Sequence, residues 1–401
     1  MYLRFKKKYK KMDYTKSNLK FKIRKTLRYL RLYGLSRTLI KIAGQYHMKK
    51  KDIKIEGDSW INDKSINNKS LRKNIALVGC GNFAFANLAY YLKKKDKEFL
   101  LATFDCNMGR AVSLCRKYKG KYAYSNFKNI LDNSNIKLVY IASNHASHSN
   151  YAIECINAGK DVHIEKPTVV SYYQLALLAI ASKNNPSVKI YQGYNRPKSK
   201  LFKQLKYYLE AENGPIMVNW FIAGHEIADD HWYFNELEGG RILGNLCHWS
   251  DLTLELIGHE NAFPCKIKNS SPKNSKSDFV ISIEFNDSSC VAITFSAKGH
   301  TFEGVREILN IHKGNLLGIL RDFHSLELDI IEKKVKNKLL FRDHGHKNNV
   351  FNTYDGSEFD TNKGVPMRYI AATSLLALKI KESVDTQTDI LLTREEINRY
   401  L

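Results

Sequence analysis

The most chemically suggestive stretch of the chain is EGGRILGNLCHWSD, residues 238–251, in which Cys247, His248 and Asp251 follow a Gly-Gly turn. On an α-helix, Gly244, His248 and Asp251 fall four and three residues apart and share one face, with Asn245 on its flank. Four readings suit such residues: metal ligation, attack by the thiol, proton transfer coupled to hydride movement, or a buried helix without chemistry. Metal ligation is disfavoured, because Cys247 and His248 are adjacent rather than at ligand spacing and no second ligand pair accompanies them. A Cys247 nucleophile needs a stabilised thiolate and an oxyanion site, and the sequence points to neither. The imidazole of His248 suits proton exchange near neutral pH, around its unperturbed pKa of about 6.5.

A second cluster lies nearer the N-terminus. NIALVGCGNFAFANLAYYLKK joins an apolar strand, Ile75 to Val78, to Gly79-Cys80-Gly81-Asn82-Phe83-Ala84 and then to a helical stretch. This is Gly-x-Gly-x-x-Ala between a strand and a helix: Gly79 permits the tight turn, Gly81 admits a pyrophosphate to the backbone, and Ala84 lets helix and strand approach. The helix N-terminus then offers amides to phosphates. A second apolar run, FLLATFD, ends at Asp105, 21 residues beyond Ala84, where a carboxylate meets the ribose hydroxyls and favours NAD over NADP. Arg110 lies close enough to soften that preference, so NADP stays open. The strand KLVYIAS stops at Asn144, with His145 and His148 just beyond it. Helices are expected over Gly109–Tyr118 and Phe127–Leu131. The alternation of strand and helix predicts a doubly wound parallel sheet with its ligand at the carboxyl ends of the strands.

The whole chain must carry these sites on more than one core. Its 401 residues, 43% of them hydrophobic, suit two domains with additional segments. Seven scattered cysteines with no Cys-x-x-Cys pair argue against a disulfide framework or thiolate zinc, and fit a cytoplasmic protein. The formal charge of +24 is concentrated in residues 1–51, where 18 Lys and Arg face one acid, Asp13. Within that arm, Ile23, Leu27, Leu30, Leu35, Leu39 and Ile42 recur at helical intervals, interrupted at Gly34. Such a segment either packs on the body or a partner, or lies peripherally on an anionic membrane at its inner face. No motif supports nucleic-acid binding. Residues 52–72 are polar and aperiodic and read as a linker.

Three ordered motifs, NIALVGCGNFA, Glu165-Lys166-Pro167 and GYNRP at 193–197, resemble the glucose-fructose oxidoreductase, inositol dehydrogenase and rhizopine-catabolism family (Gfo/Idh/MocA) of nicotinamide-dependent enzymes. The resemblance runs from about Lys73 to the C-terminus and is strongest between residues 74 and 251. It implies an α/β fold: an N-terminal Rossmann domain with a doubly wound parallel sheet over residues 73–195. An α+β domain with a large, mostly antiparallel open-faced sheet follows over residues 196–401, its last helix packing back on the body. It implies that Lys166 points into the active site and that Glu165 and Asn144 help hold the cofactor, beside the loop residues Gly79, Gly81, Asn82, Phe83 and Ala84, with Asp105 and His145. Lys166 then stabilises the developing alkoxide and His248 moves the proton. Asn195, His231, Trp232, Asn245 and Asp251 line the substrate site, the Trp232 face suiting a sugar.

Many members of the family carry Asp four residues before the histidine; here that position is Gly244. A group encoded with cell-surface polysaccharide genes is more similar through DHW, GGRI and CH, but has Glu at the position of Asn245. The resemblance therefore implies an NAD(P)-dependent oxidoreductase acting on a sugar or nucleotide sugar, with no metal, assembling as a homo-oligomer through its open sheet. Two alternatives remain from the sequence: a non-catalytic dinucleotide-binding sensor or scaffold, and a reductase of a non-sugar substrate.

Overall fold

The structure, a computed structural model, describes residues 17–62, 74–298, 304–358 and 364–401. The first sixteen residues of the basic arm and residues 63–72 of the segment read as a linker lie outside the described residues.

Helix α1 (Leu19–His47) precedes a seven-stranded sheet built from β1 (Ser59–Ile61), β2 (Ile75–Val78), β3 (Leu100–Phe104), β4 (Tyr122–Tyr124), β5 (Leu138–Ile141), β6 (Asp161–Ile164) and β7 (Ile190–Gln192). The strand order is β1-β4-β3-β2-β5-β6-β7. All neighbours run parallel except β1, which adds antiparallel to β4. Strands β2 and β5 are buried at every residue, as parallel strands covered on both faces must be. Helices α2 (Ala89–Lys95), α3 (Met108–Lys117), α4 (Lys128–Asp132), α5 (His148–Asn157) and α6 (Tyr172–Asn184) supply the cover. The strand order reverses between β2 and β5. The crevice at that switch point is where a doubly wound sheet binds its ligand, and it is bounded by Gly79–Ala84 after β2 and Ser143–His145 after β5.

After α7 (Lys200–Glu210) the chain forms a nine-stranded sheet. Its members are β8 (Met217–Ala223), β9 (Cys265–Asn269), β10 (Asp278–Phe285), β11 (Cys290–Ser296), β12 (Arg306–Lys313), β13 (Leu316–Arg321), β14 (Ser325–Ile330), β15 (Lys333–Lys338) and β16 (Ile390–Leu392). Only β8 and β11 pair in parallel; the others are antiparallel. Burial alternates along β8 and β10, so Val218, Trp220, Ile222, Ile281 and Ile283 face the core and the intervening residues face outward. Helices α8 (Cys247–Ile257) and α10 (Met367–Thr386) pack on that inner face, and one continuous core joins it to the α5–α6 side of the first sheet. Helix α9 (His346–Glu358) lies on the opposite side of the first sheet, and α11 (Arg394–Asn398) ends the chain under a capping box from Thr393 and Glu396.

Helix α1 is interrupted where the sequence indicates: Gly34 has φ 77°, and the Phe341 ring sits 3.1 Å from where a Cβ would stand. One face of α1 is bound to the first domain. Arg37 donates to Ala86 O and Asn87 Oδ1 at 2.5 Å each, and His47 stacks on Phe85. Within the segment read as a linker, Ser59–Ile61 pairs with β4 and Asp52 reaches α3. Polar composition concealed both, because edge pairing and capping use backbone groups rather than apolar burial.

Candidate active site

The turn after β2 is shaped for close approach. Gly79 has φ 82°, and a Cβ there would come within 2.5 Å of Ala142 and Ser143 backbone atoms, so only glycine lets the turn pass the end of β5. A Cβ on Gly81 would meet nothing within 4 Å, leaving the outer side of the turn open. Asp105, at the end of β3, is locked beside this turn: one carboxylate oxygen accepts from Cys80 N at 2.6 Å, the other from Asn107 N at 2.7 Å. An open glycine cradle, a helix start and a fixed carboxylate fit the pyrophosphate and ribose of a dinucleotide. Phe83 turns its ring to His346, and Asn82 packs against Gly44 of α1.

At the other side of the crevice Asn144 accepts from Ser147 Oγ and donates to Glu238 Oε1, both at 2.5 Å. The second Glu238 oxygen accepts from Ala146 N at 3.2 Å, and its backbone carbonyl lies 3.1 Å from His145 Nδ1. Glu238 thus ties the loop before α8 to the end of β5. Glu165 is turned inward, against Gly193 and 3.4 Å from His163 Nε2. Lys166 Nζ donates to Gly244 O at 2.5 Å, and the His148 ring spans Pro167 O and Ser143 O, holding the Lys166 turn to the β5 loop.

The helix carrying His248 begins with a π-helical turn, Ile242–Leu246, before α8 proper. This corrects the expectation that Gly244, His248 and Asp251 share one face, since a π turn inserts a residue and rotates what precedes it. The Cα of Gly244 faces the rings of His145 and Tyr233: a Cβ there would lie 2.7 Å from each. His248 lies by Tyr194, with Nδ1 buried and without a hydrogen-bond partner among the described residues. Asn245 Oδ1, one turn earlier, is likewise buried and unpartnered. Asp251 instead accepts from Tyr369 OH at 3.0 Å and Thr373 Oγ1 at 3.1 Å, both on α10, and borders a separate cavity of about 280 Å³. Asn195 donates to His344 O at 2.5 Å and so positions the segment before α9. His231 and Trp232 cluster with Tyr233 over His145, the Trp232 ring 4.7 Å from that imidazole.

Burial, then the charges of Arg196 and Lys166, hold His248 neutral well below its ordinary range, which corrects the expectation of an unperturbed imidazole. Burial and Lys166 push His145 down to about 2, and His346 is also held well below 6.5 by burial and neighbouring cations. His145 and His248 are therefore held neutral beside Lys166, and His248 and His346 beside Arg196. Burial pushes the Cys247 thiol up to about 11, which disfavours a thiolate.

Residues 73–191 match the profile of the oxidoreductase family with an NAD-binding Rossmann fold, Gfo/Idh/MocA. The match covers the first domain, from the start of β2 to β7. The chain is 28% identical over 140 residues to oxidoreductase P35 of Formosa agariphila, covering 35% of this chain and 43% of that protein. It is 26% identical over 188 residues to myo-inositol 2-dehydrogenase of Thermotoga maritima, covering 46% and 55%. The chain thus spans about half the length of the curated relatives it matches. Its fold is similar to that of GenD2 from gentamicin A biosynthesis in complex with NAD, with a TM-score of 0.68 at 17% identity over 82% of this chain and 98% of the other. Levoglucosan dehydrogenase in complex with NADH and L-sorbose superposes with a TM-score of 0.66 at 16% identity over 80% and 98%.

Sequence reasoning missed Tyr233, Glu238, His344 and His346. The aromatic run His231–Phe234 and the pair in DHGH were visible signals; nothing in the sequence singled out Glu238.

Proposed function

We propose that this protein is an NAD-dependent oxidoreductase of the Gfo/Idh/MocA type acting on a hydroxyl of a sugar or nucleotide sugar. One observation carries the reading: two buried polar atoms, Asn245 Oδ1 and His248 Nδ1, stand without partners on the helix start whose Gly244 carbonyl Lys166 contacts. Buried polar groups are nearly always satisfied, so this unmet pair beside the carbonyl that receives Lys166 supports a place for a ligand hydroxyl. A bound nicotinamide supplies the acceptor for hydride. Lys166 keeps two further N–H donors for the substrate oxygen and stabilises the charge that builds as the carbinol is oxidised. His248, neutral, takes the hydroxyl proton at Nδ1 and returns it in reduction. Trp232 and Tyr233 offer ring faces to the sugar. The fit of Asp105 and Gly81 supports NAD. The names of the relatives, inositol and levoglucosan dehydrogenases, support a polyol or sugar.

The test is NADH titration by fluorescence, followed by turnover on a panel of sugars and nucleotide sugars. Wild type is expected to turn over a member of the panel. Lys166→Met is expected to bind NADH as wild type while losing at least a hundredfold in kcat. Undiminished turnover in that variant refutes the role of Lys166. NADH bound but never oxidised across the panel supports a sensor instead.

The arm bears on location. Leu19, Ile23, Leu27, Leu35 and Leu39 are exposed along α1, flanked by Lys20, Arg24 and Arg31, while the opposite face is packed. No helix among the described residues is long and apolar enough to cross a membrane. This exposed stripe supports peripheral contact with an anionic cytoplasmic leaflet, as expected of an enzyme of surface-polysaccharide synthesis. Co-sedimentation with phosphatidylglycerol vesicles but not phosphatidylcholine ones, lost in the Ile23→Glu/Leu27→Glu variant, is the expected result. Exposed Met217, Phe221, Val280 and Leu317 on the outer face of the nine-stranded sheet support a homo-oligomer, which sedimentation equilibrium tests.

A further inference from the structure

We infer that Asp52, on the segment following α1, is a cofactor-specificity determinant that bars the 2′-phosphate of NADP; the inference rests on the proposed binding of a nicotinamide dinucleotide at the switch point. The adenosine end of such a cofactor lies beyond β3, at Asp105 and the start of α3. There the natural binders of a 2′-phosphate are the first amides of α3 and the guanidinium of Arg110, whose Nε is buried without a partner among the described residues.

The segment following α1 has already taken this place. Met108 N, the first amide of α3, donates to Asp52 Oδ1 at 2.7 Å, across 56 residues of sequence. The backbone leading to Asp52 is pressed onto the helix: a Cβ on Gly109 would stand 1.9 Å from Lys51 O, so the glycine at this position admits the strap. His47 anchors its beginning, with Nε2 2.7 Å from Cys80 O in the Gly-x-Gly turn and Nδ1 3.0 Å from Ser113 Oγ on α3. The strap thus runs from the dinucleotide turn to the α3 N-terminus and delivers a carboxylate there.

The charge consequence is direct. Asp105 already presents one carboxylate to the ribose, and Asp52 adds a second at the amides a phosphate would use. A 2′-phosphate, carrying close to two negative charges, would have to displace Asp52 or sit between both carboxylates. The hydroxyl of NAD meets no such repulsion. Selection against NADP therefore comes partly from a segment outside the Rossmann unit.

The experiment measures dissociation constants of NADH and NADPH by fluorescence titration of the full-length chain, wild type against Asp52→Asn and Asp52→Ser. Both variants keep an acceptor for Met108 N and remove the charge. Wild type is expected to prefer NADH. Each variant is expected to tighten NADPH at least fivefold while NADH changes less than twofold, with the gain shrinking at high salt as charge repulsion is screened. An NADPH to NADH ratio unchanged in both folded variants overturns the inference and leaves the proposed dehydrogenase standing. A wild type that binds neither nucleotide overturns the proposed function and the inference with it.

Discussion

Replacing Glu307 by Gln tests whether the segments that flank His248 are held by a desolvated ion pair. The Glu307 side chain is 1% exposed and accepts from Arg196 Nε at 2.8 Å, Arg196 Nη2 at 3.3 Å and Trp249 Nε1 at 3.0 Å, with His344 Nε2 at 3.2 Å. The carboxylate therefore joins the GYNRP segment, α8 and the loop before α9, the three pieces that flank His248. Although burial opposes ionisation, Arg196 and His344 hold the Glu307 carboxyl down to about 2 from 4.5. At 1.36 kcal/mol per unit, that difference corresponds to roughly 3 kcal/mol of stability at neutral pH. Because the folded pKa is depressed, this contribution is complete above pH 4.5 and is lost as pH falls toward 2. Glu307→Gln leaves the Arg196 charge buried without its counter-charge, for which about 3–5 kcal/mol is the expected loss at pH 7. For a domain of this size the melting temperature should fall by roughly 6–20 °C. Urea unfolding followed by tryptophan fluorescence reads the change, since Trp249 is itself a partner. A loss below about 1 kcal/mol would refute the claim that the pair is desolvated.

Gly244→Ala should destabilise by about 1–2 kcal/mol, because overpacking against His145 and Tyr233 outweighs the roughly 1 kcal/mol of helix propensity gained; Tyr233→Leu in the same chain should recover part of that loss in denaturant titration. Thermal stability should fall as pH drops from 7.5 to 5.5, because His47, His145, His148, His248 and His346 are all held below 6.5 and bind protons more readily when unfolded. The slope approaches about 1.4 kcal/mol per pH unit for each such histidine, opposed by the single proton of Asp251, which burial raises. A flat melting temperature over that range would refute it. Asp251→Ala should cost about 1–2 kcal/mol by removing the shared acceptor of Tyr369 OH and Thr373 Oγ1, Glu255 remaining as a second acceptor for Tyr369, whereas Asp251→Asn should cost less than about 1 kcal/mol, as calorimetry at pH 7 can show.

The parts of this molecule legible in its sequence are those whose physics is local. Gly79 and Asp105 are fixed by turn geometry and by strand ends, so their spacing alone points to the crevice. The interruption of α1 at Gly34 and the alternation in β8 and β10 are likewise written in neighbouring residues. Strand β15, KKVKNK, carries one apolar residue and exists because β14 offers it backbone partners, which no hydropathy pattern reports. Glu238 reaches Asn144 across 94 residues and Asp52 reaches Met108 across 56; such contacts belong to the assembled fold. The π turn at Ile242–Leu246 was equally hidden, since ILGNL reads as well in an α-helix and only the packing of Gly244 against two rings shows the difference.

Gly244 also weighs between a working and an idle site. A missing carboxylate that merely left the site incomplete would leave a gap where its side chain had been. Here the space is taken by His145 and Tyr233, and the Gly244 carbonyl itself receives Lys166. The ammonium is thus oriented without the acidic partner. Its charge, with that of Arg196, favours a neutral His248 whose Nδ1 has nothing to accept from until a ligand arrives. Each buried polar group left unmet costs about 1–3 kcal/mol, which a ligand hydroxyl bonded to His248 Nδ1 or Asn245 Oδ1 would recover. Asn245 Oδ1 and His248 Nδ1, three residues apart and beside the carbonyl that receives Lys166, are the two groups from which the proposed hydroxyl site is built.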